Sequence, residues 1–480
     1  MRRWAVVAAI LALAGAAAGQ ASSSPSAVSA AKARPNVVFV LTDDLSWNLV
    51  KYMPHVRQMR QNGVTFTRYF VTDSLCCPSR SSIFTGRFPH NTKVFTNMPP
   101  DGGYQVFHQR REERSTFATA LSKAGYSTGF MGKYLNGYQP SSLLVPNGWS
   151  DWRGAGNGYP EFNYDLNENG KLFHYGNQPQ DYLTDVIAAK GRAFINAAAD
   201  AHKPFALELA TFAPHSPFTP APRDANDFPG LKAPKGPAYN AQVTNAPHWL
   251  ANHAPLGRKA IVRTNQRFRK RAQAVQAVDD MIAGIEFTLV ARGLADNTYI
   301  VFSSDNGFHL GEHRLRQGKQ TAFDTDIRVP LVVVGPGVPK NRTVHSLAQN
   351  IDLRPTFSRL GGAKVPGSVD GRSLVSFIHG KKVKRWRRAV LVEHHGPDLK
   401  DGDPDRQRDN PTTYEAIRLS RSVYVEYRGG DREYYNLARD PSELHNTYNR
   451  LSKSKKRKLH RMLVRLKRCK GAKRCLKAAR

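Results

Sequence analysis

The stretch "NVVFVLTDD", residues 36–44, decides how the rest of the chain is organised. Its short, continuous apolar run ends in polar residues, a pattern that predicts a strand buried on both faces of a sheet. Asp43 and Asp44 then lie at the carboxyl end of this strand, the edge at which open α/β sheets bind ligands. The stretch therefore predicts an α/β protein with a functional site at this edge.

Helical patterns alternate with further apolar runs as far as residue 337, and this alternation predicts a large, mostly parallel sheet flanked by helices on both faces. An Asn-Gly turn inside "NYDLNENGKLFHY" predicts an inserted hairpin. After residue 385 the pattern changes and predicts a smaller antiparallel sheet. The predicted helices and strands are "MPHVRQMRQNG", "VTFTRYF", "PSRSSIFTG" (opening on Pro78), "TFATALSKAG", "YSTGFMG", "LTDVIAAKGRAFINAAAD", "PFALELATFA", a long helix ending at "VARG", "TYIVFSSDNG" and "VPLVVVGPG".

The first residues predict export of the protein. They combine Arg2 and Arg3, an apolar run and a stretch of small residues, which is the pattern of a secretory signal peptide. The apolar run is shorter than the ~20 residues that a membrane span needs. We expect these segments: a signal peptide (1–21), a linker (22–35), a large α/β domain that carries the functional site (36–385), a C-terminal α+β subdomain (386–450) and a basic helical tail (451–480).

The charge is strongly positive and uneven. The formal net charge is +33, and residues 451–480 contain 14 Lys or Arg and no acidic residue. Such a balance favours a polyanionic partner, namely a sulfated glycan, a nucleic acid or an anionic surface. The alternative is a helix that docks through Leu459, Met462, Leu463 and Leu466 and exposes a solvated basic face. No nucleic-acid-binding motif accompanies the charge, so no specific nucleic acid is expected.

The chain has four cysteines, two of which are neighbours. Adjacent cysteines rarely pair, whereas Cys469 and Cys475 are spaced for a small local disulfide. Cys76 precedes the predicted helix start at Pro78, where free backbone N–H groups favour negative charge and would acidify a thiol. The alternative is that these thiols are small buried apolar groups, which we expect for Cys77.

A second group of residues offers oxygen ligands at predicted strand ends: Asp43, Asp44, Asp305 and Asn306. Carboxylate and amide oxygens suit Ca²⁺ or Mg²⁺ better than a soft metal. Each pair alone is more often a helix cap or a turn. Their placement at strand ends of one sheet favours the metal.

The segment "CCPSRSSIFTG", residues 76–86, resembles the signature of the type I sulfatases, Cys-x-Pro-Ser-Arg followed by Thr-Gly. The pattern matches from Cys76 and fails from Cys77, because Ser79 would have to be proline. The resemblance runs from about residue 36 to residue 446, through "LTDD", "GKYLNGY", "APHSP", "SSDNG" and "YYNLARDPSELHN". "GKYLNGY" and "CCPSR" are most similar to N-acetylglucosamine-6-sulfatases and extracellular heparan endosulfatases.

The resemblance implies an alkaline-phosphatase-like fold and a cysteine, here Cys76, that a formylglycine-generating enzyme converts to Cα-formylglycine. It also implies that Asp43, Asp44, Asp305 and Asn306, with the modified Cys76, hold Ca²⁺, with Mg²⁺ less favoured. In the family the aldehyde is hydrated, one hydroxyl attacks sulfur, and the second expels sulfate. A serine would lack that internal exit and would stop at half a turnover.

The remaining site residues are also implied by the resemblance. Arg80 is expected to hold the formylglycine hydrate, Lys133 and Lys319 to contact sulfate oxygens, and His215 to protonate the leaving oxygen. One position departs from the family: many arylsulfatases have Gly-Lys-x-His where this chain has Leu135. Asn136 or His309 is a candidate for that missing role, although His309 is equally well read as a structural histidine.

These observations predict a secreted sulfatase that hydrolyses sulfate esters of carbohydrates, in particular 6-O-sulfated N-acetylglucosamine units, or aryl sulfates. One alternative is a phosphonate or phosphate ester hydrolase that uses the same metal and aldehyde. A second is an inactive polyanion-binding protein kept for its basic surface.

Overall fold

The first strand, β1 (Asn36–Thr42), lies at the centre of the large sheet, as its apolar run predicts. All seven of its residues are buried. Alternate side chains enter two different core clusters, Val37 and Phe39 on one face and Val38 and Val40 on the other. The sheet is therefore covered on both faces, which is why the strand is a continuous apolar run rather than an alternating one.

The structure is a computed structural model that describes residues 34–397, 400–406 and 409–480. The predicted signal peptide and most of the predicted linker lie outside the described residues. The large sheet has the strand order β13-β2-β12-β9-β1-β8-β4-β5-β6-β7. Its further strands in chain order are β2 (Val64–Phe66), β4 (Ser127–Lys133), β5 (Asp151–Ala155), β6 (Tyr164–Glu168), β7 (Lys171–Tyr175), β8 (Phe205–Ala210), β9 (Thr298–Ser304), β12 (Leu331–Val334) and β13 (Arg342–Val344).

The central strands are parallel: β1 pairs with both β8 and β9, and β4 pairs with β8 and β5. The predicted hairpin forms β6 and β7 at one edge. The mostly parallel sheet is confirmed with one antiparallel strand on this side, and one prediction was wrong. Strand β12 runs antiparallel to β9 and does not continue the parallel series. "VTFTRYF" is interrupted by a turn and gives β2 and the short β3 (Tyr69–Phe70), which joins a separate two-stranded sheet with β14 (Ala348–Gln349).

Helices cover the large sheet and support the smaller elements. The described residues form these helices: α1 (Pro54–Asn62), α2 (Cys76–Thr85), α3 (Pro89–Thr92), α4 (Gly103–Gln109), α5 (Phe117–Lys123), α6 (Leu183–Asp200), α7 (His248–Ala251), α8 (Arg258–Ala291), α9 (Asp324–Ile327), α10 (Leu353–Leu360), α11 (Val375–Ile378), α12 (Lys453–Leu466) and α13 (Ala472–Ala478). In the described part of the chain no helix combines the length and the apolar character that a membrane span requires.

Helix α2 begins at Cys76, two residues before the predicted start at Pro78. Leu75 is the extended N-cap, so Pro78 falls in the first turn, where its missing N–H costs no intrahelical hydrogen bond. The helix ends as predicted at Gly86, whose φ of 68° is in the left-handed region. Every residue of α2 is buried, so Cys76 projects from a fixed, enclosed backbone.

The C-terminal part forms the predicted smaller antiparallel sheet. It contains β15 (Ala389–His394), β16 (Tyr414–Leu419), β17 (Ser422–Tyr427) and β18 (Arg432–Asn436), paired in sequence order. Helix α12 packs on it through its apolar stripe, formed by Leu459, Met462, Leu463 and Leu466, all of which are buried. The predicted disulfide between Cys469 and Cys475 is present. The α/β fold class, with a large sheet and a smaller antiparallel one, is confirmed.

A partly buried histidine joins the tail to the rest of the protein. His90 Nδ1 lies 2.8 Å from a Glu393 carboxylate oxygen, and Nε2 lies 2.8 Å from the carbonyl oxygen of Cys469. Because both acceptors require an N–H, this geometry selects the protonated imidazolium. Burial lowers the pKa of His90, but the hydrogen bond and charge of Glu393 outweigh burial and raise it above its ordinary value.

We expect the stability contribution of His90 to disappear at alkaline pH. Protonated His90 stabilises the folded protein fully below the pKa of histidine in the unfolded chain, about 6.5. This stabilisation is lost as the pH rises through the higher pKa of His90 in the folded protein. The free energy of unfolding of wild type minus that of His90→Gln should therefore fall by roughly 1 kcal/mol between about pH 6 and pH 9. Urea unfolding at both pH values measures it. The exposed His345→Gln variant is the control, and an equal change there would contradict the prediction.

Candidate active site

The site lies at the carboxyl edge of the large sheet, as β1 predicts. Asp43 and Asp44 follow β1, Asp305 and Asn306 follow β9, and Lys133 is the last residue of β4. Parallel neighbouring strands bring these ends together. The loop after β8 supplies His215, helix α2 supplies Cys76 and Arg80, and the segment after β11 (Gln317–Gly318), which pairs with β10 (His309–Leu310), supplies Lys319.

Cys76 is the residue on which the cluster converges. Its Sγ lies 3.2 Å from Asp43 Oδ1, 2.8 Å from Lys319 Nζ and 3.7 Å from Asp405 Oδ2, and the side chain is fully buried. Burial and the carboxylate of Asp43 raise the pKa of this thiol well above its ordinary value, and the lowering effects of Lys133 and Lys319 are smaller. The expected acidification by the helix terminus is wrong, because burial beside a carboxylate dominates. The unmodified residue is a protonated thiol.

Arg80 is buried one turn after Cys76. Its Nε donates to Asp305 Oδ2 at 2.7 Å and its Nη1 donates to the backbone carbonyl of Lys133 at 2.8 Å. Its Nη2 is buried and has no hydrogen-bond partner among the described residues. Burial lowers the pKa of Arg80, but the charges of Asp305 and Asp43 outweigh it, so the guanidinium stays charged. Arg80 therefore fixes two strand ends and keeps one donor free.

The two lysines are buried cations. Lys133 Nζ bonds the Asp43 carboxylate and lies 4.8 Å from the centre of the Tyr159 ring. Lys319 Nζ lies 2.6 Å from Asp44 Oδ1 and 3.0 Å from a carboxylate oxygen of Asp405. Burial lowers the pKa of each lysine, and the neighbouring carboxylates outweigh it and raise it well above the ordinary value. Two desolvated positive charges therefore stand beside Cys76.

His215 presents one ring nitrogen to the same cluster. Its Nδ1 lies 2.7 Å from the backbone carbonyl of Ser216, so this nitrogen donates, and Nε2 is directed into the site. Nε2 lies 3.2 Å from Asp405 Oδ1 and 3.6 Å from Asp44 Oδ2. Burial lowers the pKa of His215, but Asp44 and Asp43 outweigh burial and raise it, which favours a proton on Nε2.

The oxygen donors fit a hard divalent cation. One ligand atom from each of Asp43, Asp44, Cys76 and His215 lies within 4.8 Å of the others. Asp44 Oδ2 and Asn306 Oδ1 are buried and have no hydrogen-bond partner among the described residues. Asp44 itself is in the left-handed region, with φ of 62°, a conformation that turns its carboxylate away from the strand. Buried carboxylates with unshared oxygens require a compensating positive charge.

Comparison with known proteins identifies the family. The sequence model of the family described as Sulfatase matches residues 35–363, more than half of the chain. This protein belongs to the sulfatase family. A second model, described as N-sulphoglucosamine sulphohydrolase, C-terminal, matches residues 311–469 of the sulfatase. Together with its relatives, this match establishes the sulfatase as a sulfuric ester hydrolase.

Among its relatives, N-acetylglucosamine-6-sulfatase of Homo sapiens is 35% identical over 478 residues, covering 92% of this chain and 86% of that protein. The extracellular sulfatase SULF-1 homolog of Drosophila melanogaster is also 35% identical, over 77% of this chain and 34% of that protein. A solved structure in complex with its substrate D-glucosamine-2-N,6-O-disulfate has a TM-score of 0.76 at 22% identity and covers 90% of this chain and 97% of that one. These likenesses confirm the alkaline-phosphatase-like fold.

The two candidates for the absent Gly-Lys-x-His histidine lie in different surroundings in the sulfatase. His309 Nδ1 pairs with the Asp326 carboxylate at 2.9 Å, and no contact joins it to Cys76 among the described residues. Asn136 Nδ2 donates to the hydroxyl of Tyr159 at 3.0 Å, and its Oδ1 is buried without a partner. Since the Tyr159 ring contacts both Lys133 and His215, Asn136 is the candidate with a direct link to the cluster.

No sequence motif marks Asp405, which the structure of the sulfatase places beside Cys76. Its carboxylate accepts from Lys319, from His215 and, at 2.9 Å, from Asn97 Nδ2. It lies on the loop between β15 and β16, in a polar stretch without a strand before it, so neither position nor motif marked it. Asp405 is ionised, because Lys319 and His215 outweigh the effect of burial and lower its pKa.

Arg271 is a second residue that the sequence left unmarked. It projects from α8 and is fully buried, with its guanidinium 4.2 Å from the centre of the Phe308 ring. Its Nη2 donates to the backbone carbonyl of Asp44 at 2.5 Å. That carbonyl is turned by the left-handed backbone of Asp44, so Arg271 supports the conformation that presents the carboxylate. An arginine inside a long helix carries no signal for such a role.

Proposed function

We propose that this sulfatase is a secreted, Ca²⁺-dependent enzyme that removes 6-O-sulfate from N-acetylglucosamine or related units of glycans, with a formylglycine derived from Cys76 as its nucleophile. The observation that carries the proposal is the convergence of Lys319, Asp43 and Asp405 on the Sγ of Cys76. Lys133 pairs with the carboxylate of Asp43, and His215 lies 3.2 Å from the carboxylate of Asp405. Buried cations around one reacting atom suit a substrate whose ester group is anionic.

Conversion of Cys76 by a formylglycine-generating enzyme is part of the proposal. The raised pKa of the unmodified thiol supports it, because a protonated thiol is a poor nucleophile. The modified residue supplies a hydrated aldehyde with one hydroxyl for attack and a second for release of sulfate. The free Nη2 of Arg80, on the same helix, is the donor that would orient the hydrate.

The other residues of the site neutralise the charge of the sulfate group and supply a proton. Lys133 and Lys319 neutralise the sulfate oxygens, where the low dielectric of the buried site strengthens their attraction. His215 holds its proton on Nε2 and delivers it to the leaving alcohol oxygen. Asp43, Asp44, Asp305 and Asn306, with the modified Cys76, would hold Ca²⁺, with Mg²⁺ less favoured. When bound, the cation withdraws electron density from the attacking oxygen and the sulfate group.

The names of the relatives support a glycan substrate. N-acetylglucosamine-6-sulfatase and an extracellular sulfatase are both 35% identical to this chain, and the latter also supports a secreted location. The fold alone does not choose the ester, since a phosphonate monoester hydrolase of Agrobacterium radiobacter has a TM-score of 0.68 at 22% identity. Sequence identity favours sulfate over phosphonate. The division into catalytic domain, 36–385, C-terminal subdomain, 386–450, and tail, 451–480, is proposed from the change in sequence pattern after residue 385 and from the uninterrupted positive charge of residues 451–480.

The test is a substrate panel on purified protein whose Cys76 has been shown by peptide mass spectrometry to be formylglycine. We expect release of sulfate from N-acetylglucosamine 6-sulfate with a higher kcat/KM than from 2-O- or 3-O-sulfated sugars. The sulfate and phosphate esters of one phenol, assayed in parallel, compare the two ester classes. A higher kcat/KM on the phosphate ester would overturn the proposal, and so would absence of sulfate release from the whole panel.

We expect Lys319→Met to lower kcat/KM for a sulfate ester by roughly 100-fold, because a desolvated charge at the developing negative oxygens is removed. Methionine keeps most of the volume of the lysine side chain. Lys190→Met is the matched control: Lys190 is half-buried and pairs with Glu168 at 2.7 Å, away from the site. Steady-state kinetics on modified protein measure both variants. Equal losses would show that Lys319 has no specific role.

A further inference from the structure

The tail carries positive charge that the rest of the protein does not neutralise. Fourteen Lys or Arg and no acidic residue lie in positions 451–480. Among the described residues, Lys467, which lies 2.5 Å from Glu415, is the one Lys or Arg of the tail that forms an ion pair. The remaining cations face solvent or lie partly covered without a carboxylate. The tail is therefore a concentrated source of positive potential.

Four of these cations form a row along α12. Lys453, Arg457, Arg461 and Arg465 follow one another at intervals of four residues, and all four are exposed. Residues four apart share a face of a helix, so the row extends over about 18 Å. Like charges at this spacing destabilise a helix, and cations in its first turn oppose the helix dipole. Helix stability does not account for the row, whereas binding of an extended anion does.

The structure also fixes which face of α12 is available. The apolar stripe is buried against Ile417 and Tyr424 of the small antiparallel sheet, and the disulfide between Cys469 and Cys475 closes the turn after the helix. Binding to lipid through an amphipathic helix needs an exposed apolar face. With that face buried on protein, the row of cations is left to bind a soluble polyanion.

The same small sheet connects the tail to the active site. Helix α12 contacts β16, and the loop that leads into β16 carries Asp405, whose carboxylate lies 3.7 Å from Cys76 Sγ. One subdomain therefore carries both the row of cations and a residue of the reaction centre. This arrangement suits a polymer that is held at one place and reacts at another.

We propose that the row Lys453, Arg457, Arg461 and Arg465 is a binding surface for a linear sulfated polysaccharide, the polymeric form of the substrate. The choice of a sulfated glycan over other polyanions rests on the function proposed above. The surface raises kcat/KM on the polymer by increasing the time the polysaccharide spends on the protein, and it leaves turnover of a sulfated monosaccharide unchanged, because a monosaccharide is too short to contact a row of about 18 Å.

The test replaces all four cations with glutamine, which removes charge and retains helix propensity. The Kd for heparin is measured in full-length protein that also carries Cys76→Ala, so that no turnover is needed. We expect the Kd at about 0.15 M salt to rise roughly tenfold or more. In protein that keeps Cys76 and carries it as formylglycine, the four substitutions should lower kcat/KM on heparin and leave kcat/KM on N-acetylglucosamine 6-sulfate unchanged. Failure of the proposed function would remove turnover of both substrates and leave the binding result unaffected.

A control variant separates this row from net charge in general. It removes four exposed cations from another helix, α8, and none of these four side chains forms an ion pair among the described residues: Arg258→Gln, Lys259→Gln, Arg263→Gln and Lys270→Gln. We expect this variant to keep the heparin affinity of the wild type. An equal loss in both variants, or no loss in the α12 variant, would overturn the proposal. Tighter binding of single-stranded DNA or phosphatidylserine vesicles than of heparin would overturn the assignment to a sulfated glycan.

Discussion

Cys76→Ala is expected to lower sulfate release by roughly 1,000-fold or more, because it removes the side chain that becomes the nucleophile. Cys76→Ser is expected to give at most one equivalent of product per enzyme, since a serine has one hydroxyl and no internal route for release of sulfate. A product burst measured against active-site concentration distinguishes the two variants. Peptide mass spectrometry of the wild type establishes which fraction carries formylglycine.

The neighbouring cysteine provides the matched control for this prediction. Cys77 is a free, fully buried thiol in the core cluster, one residue along the same helix. Cys77→Ala removes a small apolar group, so we expect a loss of roughly 1–2 kcal/mol of stability and retention of turnover by the modified protein. If wild-type protein with an unmodified thiol at Cys76 hydrolysed sulfate esters as fast as modified protein, the proposed nucleophile would be wrong.

The parts of the fold that follow from local pattern were predictable. The apolar run of β1 and the alternation of helices and strands indicated a large parallel sheet, because burial on both faces leaves a continuous apolar sequence. The direction of β12 was not predictable, since a buried strand has the same composition whether it runs parallel or antiparallel. The start of α2 was predicted two residues late, because proline in a first turn is compatible with several helix starts.

In the candidate site, too, some residues were predictable from local sequence pattern and others depend on the folded structure. Asp43, Asp44, Asp305 and Asn306 could be proposed because strand ends meet at one edge of the sheet. Asp405 could not, because its position depends on how a loop of the small sheet reaches the large one. The protonation state of Cys76 was predicted in the wrong direction: a helix terminus is visible in sequence, whereas complete burial beside Asp43 is a property of the folded protein.

Arg80→Met is expected to cost about 3–5 kcal/mol of folding stability, because it leaves the buried carboxylate of Asp305 without its ion-pair partner. Arg80 and Asp305 are both fully buried, and their 2.7 Å contact joins α2 to the end of β9. Methionine matches the length of the apolar part of the arginine side chain. The loss of stability therefore results mainly from removal of the guanidinium charge and less from the reduction in side-chain volume. Urea or guanidinium unfolding at a fixed Ca²⁺ concentration measures the change.

Another buried arginine, Arg354, tests this explanation. Arg354 on α10 is almost fully buried, but it forms no ion pair among the described residues, and its Nε and Nη1 have no hydrogen-bond partner. Burial lowers the pKa of Arg354 to about 10, whereas the carboxylates around Arg80 raise the pKa of that residue. Arg354→Met removes an uncompensated cation, and we expect it to change stability by less than about 1 kcal/mol. Equal losses for the two variants would mean that packing of the long side chain, and not the pair with Asp305, stabilises this edge of the sheet.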